Sequence, residues 1–180
     1  MFETDAEISR LQDLLDASLK RSTSHLQSIV TAGERTLTAA QLVGVATGMC
    51  TLALATVTRT GEPRISGVDG HFLHGHWVAG TDPSAAKARH LAARPGVSVS
   101  YMRGEELGVF THGHARPLNP PFAVDDPHWP ETLDYLKGHY GSDAFDWTQV
   151  IYYRIEPTWM VAYSADPASI TAATASISTS

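Results

Sequence analysis

Residues 51–91 read TLALATVTRTGEPRISGVDGHFLHGHWVAGTDPSAAKARHL, and the order of their patterns decides the fold class. Cys50 to Thr58 is short, apolar or β-branched on both faces, the pattern of a strand covered on each side. Thr60-Gly61-Glu62 supplies a turn, and Pro63, which lacks a ladder donor, opens the next strand. That strand runs to about Asp69. A hairpin with its tip near His74-Gly75-His76 follows, and Trp77 to Gly80 returns. The chain then enters a helix whose start suits an anion. Thr81 or Asp82 can cap it, Pro83 fits the first helical position, and the N–H groups of Ser84, Ala85 and Ala86 point outward at the positive end of the dipole, with Lys87 one turn in.

Working outward, Arg94-Pro95-Gly96 breaks that helix, and Val97–Tyr101 and Leu107–Thr111 form an antiparallel pair around Arg103-Gly104-Glu105-Glu106. Short strands with one helix between them predict a small antiparallel barrel rather than a doubly wound sheet. Upstream, Ile8, Leu11, Leu15 and Leu19 recur at helical spacing from Asp5 to about Lys20, an amphipathic helix that needs a surface to lie on. Thr38-Ala39-Ala40-Gln41 has the form of a capping box opening a second helix that ends near Gly48. Downstream, Asn119 to Pro130 is rich in proline and acid, and Glu131 to Tyr140 is a helix stopped by Gly141. Val150 to Ile155 is a last strand, after which Pro157 bends the chain toward Trp159–Tyr163. Beyond Asp166 the residues are Ala, Ser, Thr and Ile without charge, which predicts a poorly ordered tail. The organisation is therefore a helical extension at 1–48, a barrel domain at 49–163 with an insertion at about 119–148, and a disordered tail at 164–180.

Length and composition bound the function. A chain of 180 residues, 43% hydrophobic, builds one domain with a real core. Nineteen acidic against thirteen basic residues give a formal charge of -6, which repels polyanions and argues against nucleic acid. Cys50 is the single cysteine and cannot form an internal disulfide, and the first residues are acidic where a signal peptide is basic, so a reducing cytoplasm is expected. The most apolar run, Leu42 to Val57, is too short and too interrupted for a bilayer span, and no membrane partner is expected.

Several constellations compete. Arg64, Ser66 and Val68 alternate along one strand and share a face, so Arg64 and Ser66 offer a charged fork and a hydroxyl to the anion that Lys87 approaches. Taken singly, Arg64 and Lys87 read as ordinary solvated charges; it is their combination with a capped helix start that points to a site. His74 and His76, and His112 and His114, stand two apart as metal ligands on a strand do, but no third ligand is identifiable and no metal is expected. His71 or His74 can still reach a ligand from the hairpin. No Gly-x-Ser-x-Gly elbow supports a serine hydrolase. Trp147, Trp159, Tyr152 and Tyr153 can line a flat aromatic ligand, although strand aromatics ordinarily pack a core.

Between about Cys50 and Pro117 the chain resembles the split-barrel flavoproteins of the pyridoxamine 5'-phosphate oxidase-like family. The residues that carry the resemblance are Leu54–Val57, Gly61–Ser66, Gly80–Leu91, Arg94–Val99 and Gly113–Arg116. It implies a mainly β fold with accessory helices, a six-stranded antiparallel split barrel, acting as a homodimer with FMN or a deazaflavin (coenzyme F-420) at the dimer interface. Carried over by position, Arg64, Ser66, Thr81, Ser84 and Lys87 hold the phosphate, while Gly67, Val68, Ala79 and Gly80 lie along the ribityl chain and ring. The resemblance implies an oxidoreductase moving a hydride to or from a small organic substrate, with no catalytic side chain of its own. Departures narrow this. The Arg-x-His signature that grips the vitamin phosphate is missing from Tyr163–Ser180, so pyridoxamine phosphate is not the expected substrate. The C-terminal histidine of haem-degrading split barrels is missing too. The alternative is a non-catalytic carrier of a flavin, haem or tetrapyrrole.

Overall fold

The computed structural model describes residues 2–119, 121–123, 126–144 and 146–177. Its centre is a closed barrel of six antiparallel strands, in the order β1-β2-β3-β6-β5-β4. The strands are β1 (Cys50–Val57), β2 (Pro63–Leu73), β3 (His76–Thr81), β4 (Gly96–Arg103), β5 (Leu107–Pro117) and β6 (Ile151–Ser164). Closure removes the sheet edges that short strands otherwise leave unpaired. Register follows from alternation. Leu52 and Leu54 of β1 are buried and face inward, and their partners across to β2 are Val68 and Ser66.

At the barrel centre Trp77 is fully buried, and its indole N–H donates to Thr111 Oγ1 at 3.2 Å, so the one polar atom of a large apolar side chain stays satisfied. The N-terminal helices cover the barrel as their apolar stripes require. Helix α1 (Asp5–Lys20) is capped by a reciprocal Thr4–Glu7 box and buries Leu11 and Leu15, and the Met160 N–H of β6 donates to Ser18 Oγ at 3.0 Å. A short helix α2 (Ser24–Ile29), not legible from periodicity, follows; α3 (Ala39–Val45) starts at the expected Thr38–Gln41 capping box.

Three differences from the sequence reading have local causes. Strand β6 does not stop at Pro157. It runs on to Ser164 because a bulge between His112 and Gly113 of β5 absorbs the extra residue beside the proline. The uncharged C-terminal segment is helical over α6 (Pro167–Ile177) where a disordered tail was expected: Asp166 accepts the N–H groups of Ala168 and Ser169, and Ile170 is buried in the core. Residues 178–180 of that expectation lie outside the described residues. The third difference concerns the helix after β3. Thr81 is the last residue of β3, and α4 starts only at Ala86 and runs to Ala93. Between them Asp82 forms an Asx turn, its Oδ1 accepting the Ser84 N–H at 2.7 Å, while the Asp82 carbonyl accepts the Ala85 N–H. Helix α5 (Trp129–Tyr140) and a 3₁₀ turn (Trp147–Gln149) fill the insertion between β5 and β6.

Candidate functional sites

Two surfaces of the barrel carry chemistry, and β2 contributes to both. The first lies where β1, β2 and α4 meet. Arg64 pairs with Thr56, and the Thr56 hydroxyl is 2.9 Å from His90 Nδ1 of α4. Lys87 stands three residues before His90 and so shares its face of the helix. This chain of neighbours brings Arg64, Ser66 and Lys87 to one side of the molecule. Arg64 is exposed and turns back to Glu62, at 2.7 Å.

The start of α4 is narrower as an anion site than its sequence predicts. Of the three N–H groups expected to be free, those of Ser84 and Ala85 are spent on Asp82, and Thr81 and Asp82 do not cap the helix. Ala85 is the N-cap and makes no side-chain cap bond, so the N–H groups at Ala86, Lys87 and Ala88 are the ones left without intrahelical partners. The Ser84 hydroxyl also donates to Asp82, at 2.5 Å.

The remaining expected cofactor residues divide by face. Val68 and Ala79 belong to the apolar core, which leaves only their backbone for a ligand. Gly67 faces outward, opposite Ala53. Gly80 is also required to be small, but the neighbour that requires it is protein. A Cβ there would meet Tyr152 Cε1 at 2.8 Å and Val150 Cγ1 at 3.1 Å. Beside it a groove of about 260 Å³ is lined by Asp69, His71, Thr81, Asp82, Tyr140 and Tyr152, among others.

The second surface is the one α5 covers. His71 is only 2% exposed, with Nδ1 3.1 Å from the Tyr135 hydroxyl and Nε2 2.9 Å from the Tyr140 hydroxyl. A neutral imidazole fits this pair: one nitrogen donates to one tyrosine and the other accepts from its counterpart. Burial, helped by the charge of His139 and opposed by a bond to the Gly48 backbone, lowers the His71 pKa to about 4. Burial also raises Tyr140, Tyr135 and Tyr152.

Next along the hairpin, a cavity of about 510 Å³ opens between α1, the β2–β3 turn and α5, lined by Glu7, His74, His76, His128, Arg154 and Glu156, among others. His76 Nδ1 lies 2.7 Å from the His74 carbonyl, which fixes its proton there. The two histidines read from sequence as a possible pair therefore do not act together. His74 instead meets His128 and Glu131 of α5, residues that sequence reasoning missed. Their three-residue spacing at a helix start was the only local signal.

No protein-family model and no curated protein matches the chain. Solved structures do. A putative pyridoxamine 5'-phosphate oxidase from Listeria innocua superposes with a TM-score of 0.52 at 10% identity, over 67% of this chain and 92% of that one. The fold is the split barrel. A FAD-binding protein from Mesorhizobium loti shares it, with a TM-score of 0.55 at 20% identity over 73% of this chain and 98% of that one. So does a protein of unknown function from Agrobacterium tumefaciens, with a TM-score of 0.55 at 16% identity over 68% of this chain; the chain spans only 55% of that protein's length. At such identities the likeness is one of split-barrel fold. Among the described residues no helix is long and apolar enough to cross a membrane.

Proposed function

We propose that this split barrel binds a flavin-type cofactor, FMN or a deazaflavin such as F-420, and serves as an oxidoreductase toward a small organic substrate. The observation that carries the reading is the convergence of Arg64, Ser66 and Lys87 on one side of the barrel, beside a helix start with uncapped N–H groups. That set fits a phosphate: a guanidinium fork, a hydroxyl, an ammonium and backbone donors. The names of two structural neighbours, a FAD-binding protein and a putative pyridoxamine 5'-phosphate oxidase, support the same cofactor class. Bound there, the ring supplies the hydride acceptor, and the residues of this chain hold the phosphate and shape the substrate side.

A homodimer belongs to this proposal. On the outer face of the barrel, Ile65, Ala55, Ser98 and His112 form one cross-strand row and Gly67, Ala53, Ser100 and Phe110 the next. These rows carry no carboxylate, lysine or arginine. Apart from His112 they are small or apolar, and Ile65 is 73% exposed. A second copy packed on this face would bury Ile65 and Phe110 within reach of the Arg64 end of β2. Titration of the purified protein with FMN, FAD and F-420, followed by fluorescence quenching and thermal shift, tests the cofactor reading. Saturable binding of one of them, lost on Arg64→Ala, is expected; no binding of any overturns it. Stopped-flow reduction of the bound cofactor then separates an enzyme from a carrier, since a carrier shows no reduction and reoxidation cycle.

A further inference from the structure

We infer that His74, His128 and Glu131 form a binding site for a divalent transition metal of the zinc class, with Glu7 orienting His74. The site is independent of the flavin reading and uses none of its residues.

The three side chains come from separate places. His74 sits in the turn between β2 and β3, His128 is the N-cap of α5, and Glu131 lies in the first turn of that helix. One ligand atom from each falls within 4.8 Å of the others. His74 Nε2 and Glu131 Oε2 are 3.4 Å apart. Two ligands of a tetrahedral zinc ion, each about 2.0–2.1 Å from the metal, are separated by about 3.3–3.4 Å. That edge of the tetrahedron is therefore already at its bonding length. The His128 ring centroid lies 4.8 Å from that of His74, close enough for a rotamer adjustment of His128 to close the other two edges.

The other nitrogen of His74 is committed. Nδ1 lies 3.1 Å from Glu7 Oε1, and the second oxygen of Glu7 accepts the Thr4 N–H at 2.7 Å and its hydroxyl at 2.9 Å. A carboxylate fixed by a capping box thus orients the ring from its Nδ1 side and sets Nε2 facing Glu131. Metal-ligating histidines are characteristically oriented by such a carboxylate.

The backbone adds a separate sign. His74 has φ +53° and Gly75 φ +75°, the two left-handed residues of a tight hairpin turn. Asparagine or glycine is the usual first residue of such a turn, and histidine is among the few others that tolerate it, so the turn aims the His74 side chain at α5 without a large backbone cost. The partial positive charge at the start of α5 opposes a cation, and the carboxylates of Glu7 and Glu131 offset it. Two imidazoles and one carboxylate suit zinc and its neighbours in the first transition row. The adjoining cavity leaves the fourth position open to water or a small ligand, as three-ligand zinc sites do.

The test is metal binding to the full chain after chelator stripping, with Zn²⁺ affinity measured by competition against a chromophoric chelator and the site read directly with Co²⁺. One equivalent per chain is expected, with the intense visible absorption of low-coordinate Co²⁺. His128→Ala and Glu131→Gln should each weaken binding at least tenfold. Glu131 is an exposed residue, so its variant keeps the fold. His74→Asn retains a residue suited to the left-handed turn and should abolish the Co²⁺ spectrum. Glu7→Gln should weaken binding by about 10–100-fold through the orientation of His74 alone. His25→Ala, at an exposed histidine of α2 outside the cluster, should change nothing. Stoichiometric binding that His128→Ala and Glu131→Gln leave intact overturns the site. Absence of stoichiometric binding does so too, and reduces the cluster to an ion pair between protonated His74 and its two glutamates.

Discussion

The two halves of β2 are built on opposite principles. From Pro63 to Gly67 the strand is mostly exposed, and Arg64 finds its partner two residues away in Glu62. From Gly70 to Leu73 the same strand is buried, and His71 is bonded at both nitrogens to tyrosines more than sixty residues on. An exposed ion pair is worth little and exchanges readily for a ligand. A buried polar group whose partners are all supplied by protein is committed to the fold. The proposed function therefore assigns binding to the open half, and the buried contacts assign stability and its pH dependence to the covered half.

The largest effect that bears on this contrast is the removal of the anchor of α5. Leu136 is fully buried and packs with Leu73, Val78, Leu118 and Tyr152. Leu136→Ala should lower unfolding free energy by about 2–5 kcal/mol in urea denaturation. Lys87→Ala should stay within about 0.5 kcal/mol in the same assay. Comparable losses in the two variants would break the division between the halves.

Acid should find the covered half first. The His71 pKa falls from 6.5 in the unfolded chain to about 4 in the fold. Above pH 6.5 both states are neutral at this residue and its contribution is fully present. As pH falls from 6.5 toward 4 the unfolded state takes up a proton that the fold refuses, and stability drains by up to about 3 kcal/mol. His71→Gln keeps a donor and an acceptor between the tyrosines but cannot titrate. Chemical denaturation at pH 7, 5.5 and 4.5 should show a steeper decline for the natural protein than for this variant; parallel declines would mean that His71 titrates normally.

What the sequence disclosed follows the same line. The capping box at Thr38–Gln41, the run of strand β1 and the hairpin at His74-Gly75-His76 are local, and local chemistry marks them; the Thr4–Glu7 box and the one-sided burial of β1 emerge only in the structure. Arg64 and Lys87 were grouped from sequence because the hairpin between them returns the chain toward β2, and their part in a common site is the proposal made above. The helix start was misplaced because Asp82 and Pro83 suit an Asx turn as well as a cap, and the turn consumed the donors assigned to a ligand. Gly80 was placed along the cofactor chain by resemblance, and the structure adds that Tyr152 and Val150 of the later chain also require a small residue there. The cluster of His74, His128, Glu131 and Glu7 depends on α1, the hairpin and α5 meeting, and no window of sequence contains all three.

On α4 beside the open half, Lys87→Ala should weaken flavin-type cofactor binding by about 1.5–3 kcal/mol, the range for a charge-assisted hydrogen bond, as measured by fluorescence titration. Unchanged affinity would remove Lys87 from the site. The smallest effect is the most specific. Arg64 is held at 2.7 Å by Glu62, and both side chains are more than half exposed. A phosphate arriving at Arg64 competes with that carboxylate, so Glu62→Gln should tighten binding. The gain is bounded by the worth of an exposed pair, about 0.2–1 kcal/mol, or at most about fivefold. Added salt screens the pair and the phosphate contact together, so the advantage of the variant should shrink as ionic strength rises. Weaker binding by Glu62→Gln would show instead that Glu62 positions the guanidinium for the ligand, and the pair would then belong to a prebuilt site like those on the covered half.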